Sequence, residues 1–179
     1  MTETKSMTDT ESMRAHPHEV FWFFIIYAFL GWIVEEIYVF LEWGVLVKRG
    51  FLHIPIGPIY GYGMLIVILA LSNYHKGLFR LFIGSTLFIT VFEYISGFLL
   101  YHLLGKRLWS YSEYPFNLDG YISLQTSILF GLACVFVIRL VHPHIRNLIN
   151  RIPVKSGRII LIGIYTIVVA DTIVSLVLP

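Results

Sequence analysis

The chain has 179 residues, 57% of them hydrophobic and 13% charged, with thirteen Lys/Arg against eleven Asp/Glu for a net charge of +2. A soluble domain carries about 25% charged residues, and so few polar groups cannot cover this much Leu, Ile, Val and Phe. The composition therefore excludes a soluble globular enzyme and makes the lipid bilayer the natural solvent. The small net charge, with no basic helix and no RNA-binding motif, argues against a nucleic-acid partner. Cys134 is the one cysteine, which leaves neither a disulfide framework nor a cysteine metal site.

Residues 1–19 are polar and lack apolar periodicity, so a disordered N-terminal tail is predicted there. The first apolar run continues past signal-peptide length into Glu35 and Glu36, and so it should remain as a membrane span. A helix needs about 20 mainly apolar residues to cross the hydrocarbon. Segments 20–42, 57–74, 78–104, 119–141 and 158–178 meet that requirement, and the connections are short. The expected fold is an all-α integral membrane protein, a compact bundle of about five transmembrane helices forming a single domain over residues 20–179.

An odd number of spans puts the termini on opposite faces. The tail, the 75–80 loop and the 142–158 region then share one side with Lys5, Arg14, Lys76, Arg80, Arg139, Arg146, Arg151, Lys155 and Arg158, against Lys48, Arg49, Lys106 and Arg107 on the other. This bias predicts a multi-pass protein of the cell membrane with a cytoplasmic N-terminus and an outward C-terminus. Trp22, Trp43 and Trp109 near span ends suit an interfacial aromatic belt.

Four acids fall inside the predicted spans: Glu35 and Glu36 in the first, Glu93 in the third and Asp171 in the fifth. Each costs about 2.5–3.5 kcal/mol at mid-membrane depth, so they require partners or a task. Gly31, Glu35, Tyr38 and Glu42 share one helical face, as do Thr86, Thr90, Glu93, Gly97 and Tyr101, while Asp171 and Ser175 pair at i, i+4. A polar, outward-facing cavity built on Glu35, Glu93, Asp171, Tyr38 and Thr90 is one reading. Acids that are protonated or hydrogen-bonded across helices and merely fix packing are the other.

Segment 48–63, Lys-Arg-Gly-Phe-Leu-His-Ile-Pro-Ile-Gly-Pro-Ile-Tyr-Gly-Tyr-Gly, is dense in Gly and Pro. It predicts an irregular, broken or re-entrant entry into the second span, which survives at depth only where it is buried in protein or lines water. Gly57 and Gly61 also fit small-xxx-small helix packing. The aromatic 105–118 loop is predicted on the same outer face. Arg49, Tyr60, Gly61, Trp109, Tyr111 and Ser112 are candidate rim residues, with interfacial anchoring as the plainer role for the cations and aromatics. His53 and His102 are possible proton partners of Glu35 or Glu93. The two His-Pro-His elements, residues 16–18 and 142–144, form no convincing metal site, and none is expected.

The combination of Phe29-Leu30-Gly31-Trp32-Ile33-Val34-Glu35, Arg49-Gly50-Phe51-Leu52, Gly57-Pro58-Ile59-Tyr60-Gly61-Tyr62-Gly63, Phe92-Glu93-Tyr94, Trp109-Ser110-Tyr111-Ser112 and Phe116-Asn117-Leu118-Asp119-Gly120 resembles the CmpB-like family. Its members are named as ABC-transporter type IV permeases. The resemblance covers about residues 20–141 and implies a membrane-transport component. Ser110 and Tyr121 depart from the family pattern, which usually has an acid and often a base at those positions.

Three classes of function fit. The first is a permease-type component of a transporter. The chain has no ATPase, nucleotide-binding or nucleophile motif, so this role implies a separate ATPase or other membrane subunit, or a homo-oligomer. The second is a non-catalytic membrane scaffold or assembly factor. The third is an intramembrane enzyme acting on a lipid-linked substrate with Glu35 and Glu93 as acid and base. No cofactor is expected.

Overall fold

The computed structural model describes residues 17–45, 50–71 and 77–177, without the side chains of Pro17, Glu42 and Trp43. Most of the expected tail, together with Lys48 and the candidate rim residue Arg49, lies outside the described residues. The elements in chain order are α1 (Pro17–Trp43), α2 (Pro58–Leu71), α3 (Leu78–Leu104), a ribbon of β1 (Asn117–Leu118) and β2 (Ile122–Ser123), α4 (Leu124–Phe136), a π-helical turn (Val137–Val141), α5 (His142–Ile149) and α6 (Val154–Val177).

Among the described residues, four stretches are long and apolar enough to cross a membrane: His18–Leu41, Leu78–Leu104, Leu124–Ile149 and Val154–Val177. α2 has the same character but only 14 residues, or about 21 Å at 1.5 Å per residue, against a hydrocarbon core of about 30 Å. Exposed Leu87, Val91 and Ile95 on α3 and Ile159, Ile162 and Ile167 on α6 are the apolar surface that a bilayer solvates.

Local chemistry explains the boundaries. α1 opens on Pro17 with Glu19 in its first turn, where a missing N–H costs nothing and an acid meets the positive helix end. α3 ends at Gly105, whose φ of 63° is the left-handed conformation that glycine adopts without strain. From there the Gly105 N–H donates to the Tyr101 carbonyl at 3.0 Å and the Lys106 N–H to the Leu100 carbonyl at 3.4 Å, closing the helix.

The fourth span begins at Leu124 rather than 119, because residues 117–123 fold into the ribbon, with Asn117 opposite Ser123 and Leu118 opposite Ile122. Ser123 then caps α4 reciprocally: its hydroxyl accepts from the Thr126 N–H, and its own N–H donates to Thr126 Oγ1, both at 3.2 Å. The π-helical turn immediately precedes α5 and Pro143. Proline has no N–H to offer the preceding turn and its ring crowds the carbonyl four residues back, which a local widening of the helix relieves.

The helices divide into two groups of packed residues. Within residues 65–144, α3 lies along α4, with Leu81, Ser85, Glu93 and Gly97 as its buried line. Their spacing in multiples of four follows one face of a helix. Close approach is set at Gly131, where the Thr86 side chain occupies the space a Cβ would need.

Within residues 17–64 and 145–177, α1 packs against α6, and Phe23, Ala28, Val39, Ile149 and Leu161 are buried. Glu19, only 1% exposed, is forked by Arg146 of α5. Nε lies 3.4 Å from Oε1 and a terminal nitrogen 3.3 Å from Oε2. A bidentate pair of this kind is the geometry that makes a buried acid tolerable.

Candidate functional site

Residues 50–57 have irregular backbone and include buried Leu52. The segment finishes where the Gly57 N–H donates to the Ala28 carbonyl of α1 at 3.0 Å. Ala28 lies ten residues into the His18–Leu41 candidate span, about 15 Å at helical rise, so non-helical backbone reaches the middle of that span's length. In a bilayer its polar groups must therefore be met by protein or by water that the protein admits.

Asp171 of α6 meets two of them. Its Oδ2 accepts the backbone N–H of His53 at 2.7 Å and that of Ile54 at 3.3 Å. Its Oδ1 lies 3.3 Å from His53 Nδ1, which is also 2.9 Å from the Ser175 hydroxyl. Two further donors turn locally, Ile56 N–H to the Ile54 carbonyl at 2.8 Å and, at the start of α2, Tyr60 N–H to the Gly57 carbonyl at 3.0 Å.

α2 starts at that depth, and Tyr60 in its first turn donates from its hydroxyl to Glu35 Oε2 at 2.9 Å. The ring reaches α1 because Gly31 has no side chain, and any Cβ there would collide with Tyr60. Gly61 brings the backbones of the two helices together beside Phe24, whose carbonyl oxygen would lie 2.8 Å from a Cβ at that position. The Gly31–Glu35 face predicted on α1 is thus the seat of Tyr60, whereas Tyr38 is exposed. His53 pairs with Asp171 and Ser175 rather than with Glu35.

A second cluster surrounds Glu93 on α3. The carboxyl is buried, and its Oε1 accepts the Tyr111 hydroxyl at 3.0 Å. Glu93 Oε2 and the hydroxyl oxygens of Thr90 and Ser85 are buried without a hydrogen-bond partner among the described residues. Thr90 precedes Glu93 by three positions, which brings the two side chains to one face.

The 105–123 segment folds onto this face. The Tyr111 N–H donates to the Gly120 carbonyl at 2.8 Å, the Trp109 indole to the Tyr121 carbonyl at 2.9 Å, and the Tyr94 hydroxyl to Asp119 Oδ2 at 2.8 Å. Arg107 donates to the Asp119 carbonyl and lies over the Tyr121 ring, 5.2 Å from its centre. Gly97 makes the docking possible. A Cβ there would stand 2.8 Å from Tyr121 Cδ1 and 3.2 Å from Trp109 Cζ2.

At the two departures from the family pattern, Ser110 hydrogen-bonds the exposed Ser112 hydroxyl at 2.9 Å, and Tyr121 is the buried aromatic beneath Arg107. His102 bonds the Phe98 carbonyl at 2.9 Å and stacks on the Phe98 ring.

Sequence reasoning singled out Asp171, Glu35, Tyr60, Glu93, Tyr111 and Trp109, and each of these side chains is engaged as described. It missed the Glu19–Arg146 pair, because Glu19 falls in the stretch read as polar tail, and it missed Asp119 as a partner of Tyr94. The one available signal was an acid two residues inside a proline-initiated helix.

Long apolar helices, buried acids and irregular backbone at membrane depth define a multi-pass helical membrane protein. A family model described as "Putative ABC-transporter type IV" matches residues 22–176. The chain belongs to that family, CmpB, and is accordingly a membrane protein of transport type. No curated protein and no solved structure matches it.

Proposed function

We propose that the chain is the permease-type membrane component of a transporter and that its buried acids divide between two tasks. Asp171 and Glu35 hold the re-entrant segment and the start of α2. Glu93, with Thr90 beside it and Tyr111 above it, presents the polar group that meets cargo or an accompanying proton on the outward side.

The observation that carries this reading is the unmatched Oε2 of Glu93, buried beside an unmatched Thr90 hydroxyl. A buried carboxyl oxygen with no partner among the described residues is costly in a membrane span, whereas Asp171 accepts two backbone N–H groups and lies beside the His53 ring. The exposed Ser112 and the half-buried Trp109 of the same packed group complete the polar approach. Energy would come from a separate ATP-hydrolysing subunit, since the chain has no nucleotide loop.

In the orientation set by the Lys/Arg bias, the N-terminus is cytoplasmic. The irregular segment and the ~21 Å of α2 together complete a crossing, and the C-terminus is outside. A second reading, a membrane scaffold, is favoured by the structural engagement of Glu35 and Asp171.

The test is mild-detergent isolation of the tagged full chain from its native membrane. Transport predicts co-isolated ATP hydrolysis whose rate responds to Glu93→Gln while the subunits stay together. Isolation without an ATP-hydrolysing partner, or hydrolysis indifferent to Glu93→Gln, refutes it. A cytoplasm-only reporter fused at Pro179 should stay dark, and a strong signal overturns the orientation.

A further inference from the structure

A groove between α1 and α6, with a cavity volume of about 400 Å³, opens at the end of the membrane where both helices begin. Its walls are apolar: Phe21 and Trp22 on α1, Leu161, Ile162 and Tyr165 on α6. The Tyr165 hydroxyl closes one side by donating to the Phe21 carbonyl at 3.3 Å, with the two rings edge to face at 5.7 Å. Gly157 widens the entrance, since a Cβ there would stand 3.1 Å from Ile152 Cγ2 and 3.4 Å from the Trp22 indole nitrogen.

The entrance is cationic. Arg158 lines it, and Lys155 lies three positions earlier on α6. Neither has an ion-pair partner among the described residues, whereas nearby Arg146 is held by Glu19. We propose that this groove is a binding site for an anionic phospholipid, with one acyl chain between α1 and α6 and the phosphate at Arg158 and Lys155.

Three features select that occupant over a protein helix or a second copy of the chain. The walls belong to spans whose outer faces, Ile159, Ile160 and Ile162 among them, are exposed to the bilayer. The opening lies within about 6 Å of the start of α6, at the level of lipid head groups. The uncompensated cations sit at that end and the apolar wall extends away from it, so polarity changes along the groove as it does along a lipid. Basic pockets between spanning helices are the usual head-group sites of this chemistry.

The experiment is native mass spectrometry of the full chain in neutral detergent, supplied with equimolar phosphatidylglycerol and phosphatidylcholine of identical acyl chains. Wild type should retain phosphatidylglycerol in preference. Arg158→Gln should reduce that preference about fivefold, the effect of one interfacial cation, while lipid is still bound. Ile162→Trp, on an exposed wall position, should fill the groove and lower retention of both lipids with the helical content and melting temperature unchanged. Lys106→Gln, in the 105–123 segment, should leave the preference as it was. Equal retention of the two lipids by wild type, loss of preference in Lys106→Gln to the same degree as in Arg158→Gln, or undiminished retention by Ile162→Trp overturns the proposal.

Discussion

Replacing Asp171 with alanine removes an acceptor that holds the irregular 50–57 segment in place. Two backbone donors, His53 N–H at 2.7 Å and Ile54 N–H at 3.3 Å, lose a charged partner. Hydrogen bonds to charged groups contribute about 1.5–3 kcal/mol each. The shorter bond merits the middle of that range and the longer one its lower end. Because the His53 side chain is 43% exposed and Asp171 only 11%, water can re-satisfy part of the loss, and the net cost is about 3 kcal/mol. Asp171→Asn keeps a carbonyl acceptor without its charge and should cost about half as much.

Melting of the full chain in detergent should therefore fall by roughly 6–12 °C for the alanine variant and about half that for asparagine. A second readout isolates the segment itself. Leu52 is buried, and with Leu52→Cys placed in a Cys134→Ser background, maleimide labelling should accelerate about 100-fold in Asp171→Ala, the factor that 3 kcal/mol of local opening implies. Melting within a degree of wild type, together with unaltered labelling, would show that Asp171 does not hold the segment.

Glu19→Gln or Arg146→Gln should each destabilise the chain by about 3 kcal/mol, because either change removes a buried, charge-assisted bidentate contact. A double-mutant cycle to Met at both positions checks this, and additive losses would refute the pairing. Tyr60→Phe should cost about 1 kcal/mol for the bond to Glu35, read by thermal melting. Gly31→Ala should cost more, since its Cβ displaces the whole Tyr60 ring, and an alanine variant no less stable than Tyr60→Phe would contradict the contact. Gly97→Ala should lift Tyr121 and Trp109 off α3 at about 1–3 kcal/mol. A red shift in Trp109 emission, measured with the other tryptophans replaced by phenylalanine, is the expected sign, and an unshifted spectrum counts against the docking.

The helical spans were legible in the chain because a bilayer imposes a requirement that composition alone can meet: about 20 apolar residues with every backbone group bonded internally. α3 runs over Leu78–Leu104, the boundaries expected, and the broken entry to α2 was visible because Gly and Pro act through their own backbone restrictions. The resemblance to the family rested equally on local motifs. Boundaries slipped where a turn intervened, as at residues 119–123, because the Ser123 cap and the ribbon outweigh a hydrophobicity that continues across them.

What composition and periodicity left open was which polar group meets which. Asp171 and Ser175 share a face by helical spacing, but only packing brings His53 to them across 118 and 122 residues of chain. Glu19 was indistinguishable from a solvated tail residue until Arg146, 127 positions away, was folded against it. Glu35 and Glu93 looked alike in sequence, each in a stripe of small and polar residues. In the fold, Glu35 is a seat for Tyr60, whereas Glu93 keeps one oxygen unmatched. Hydrophobic burial depends on area and periodicity and so can be estimated from residue type. A hydrogen bond depends on distance and direction between particular atoms, and tertiary structure alone supplies those.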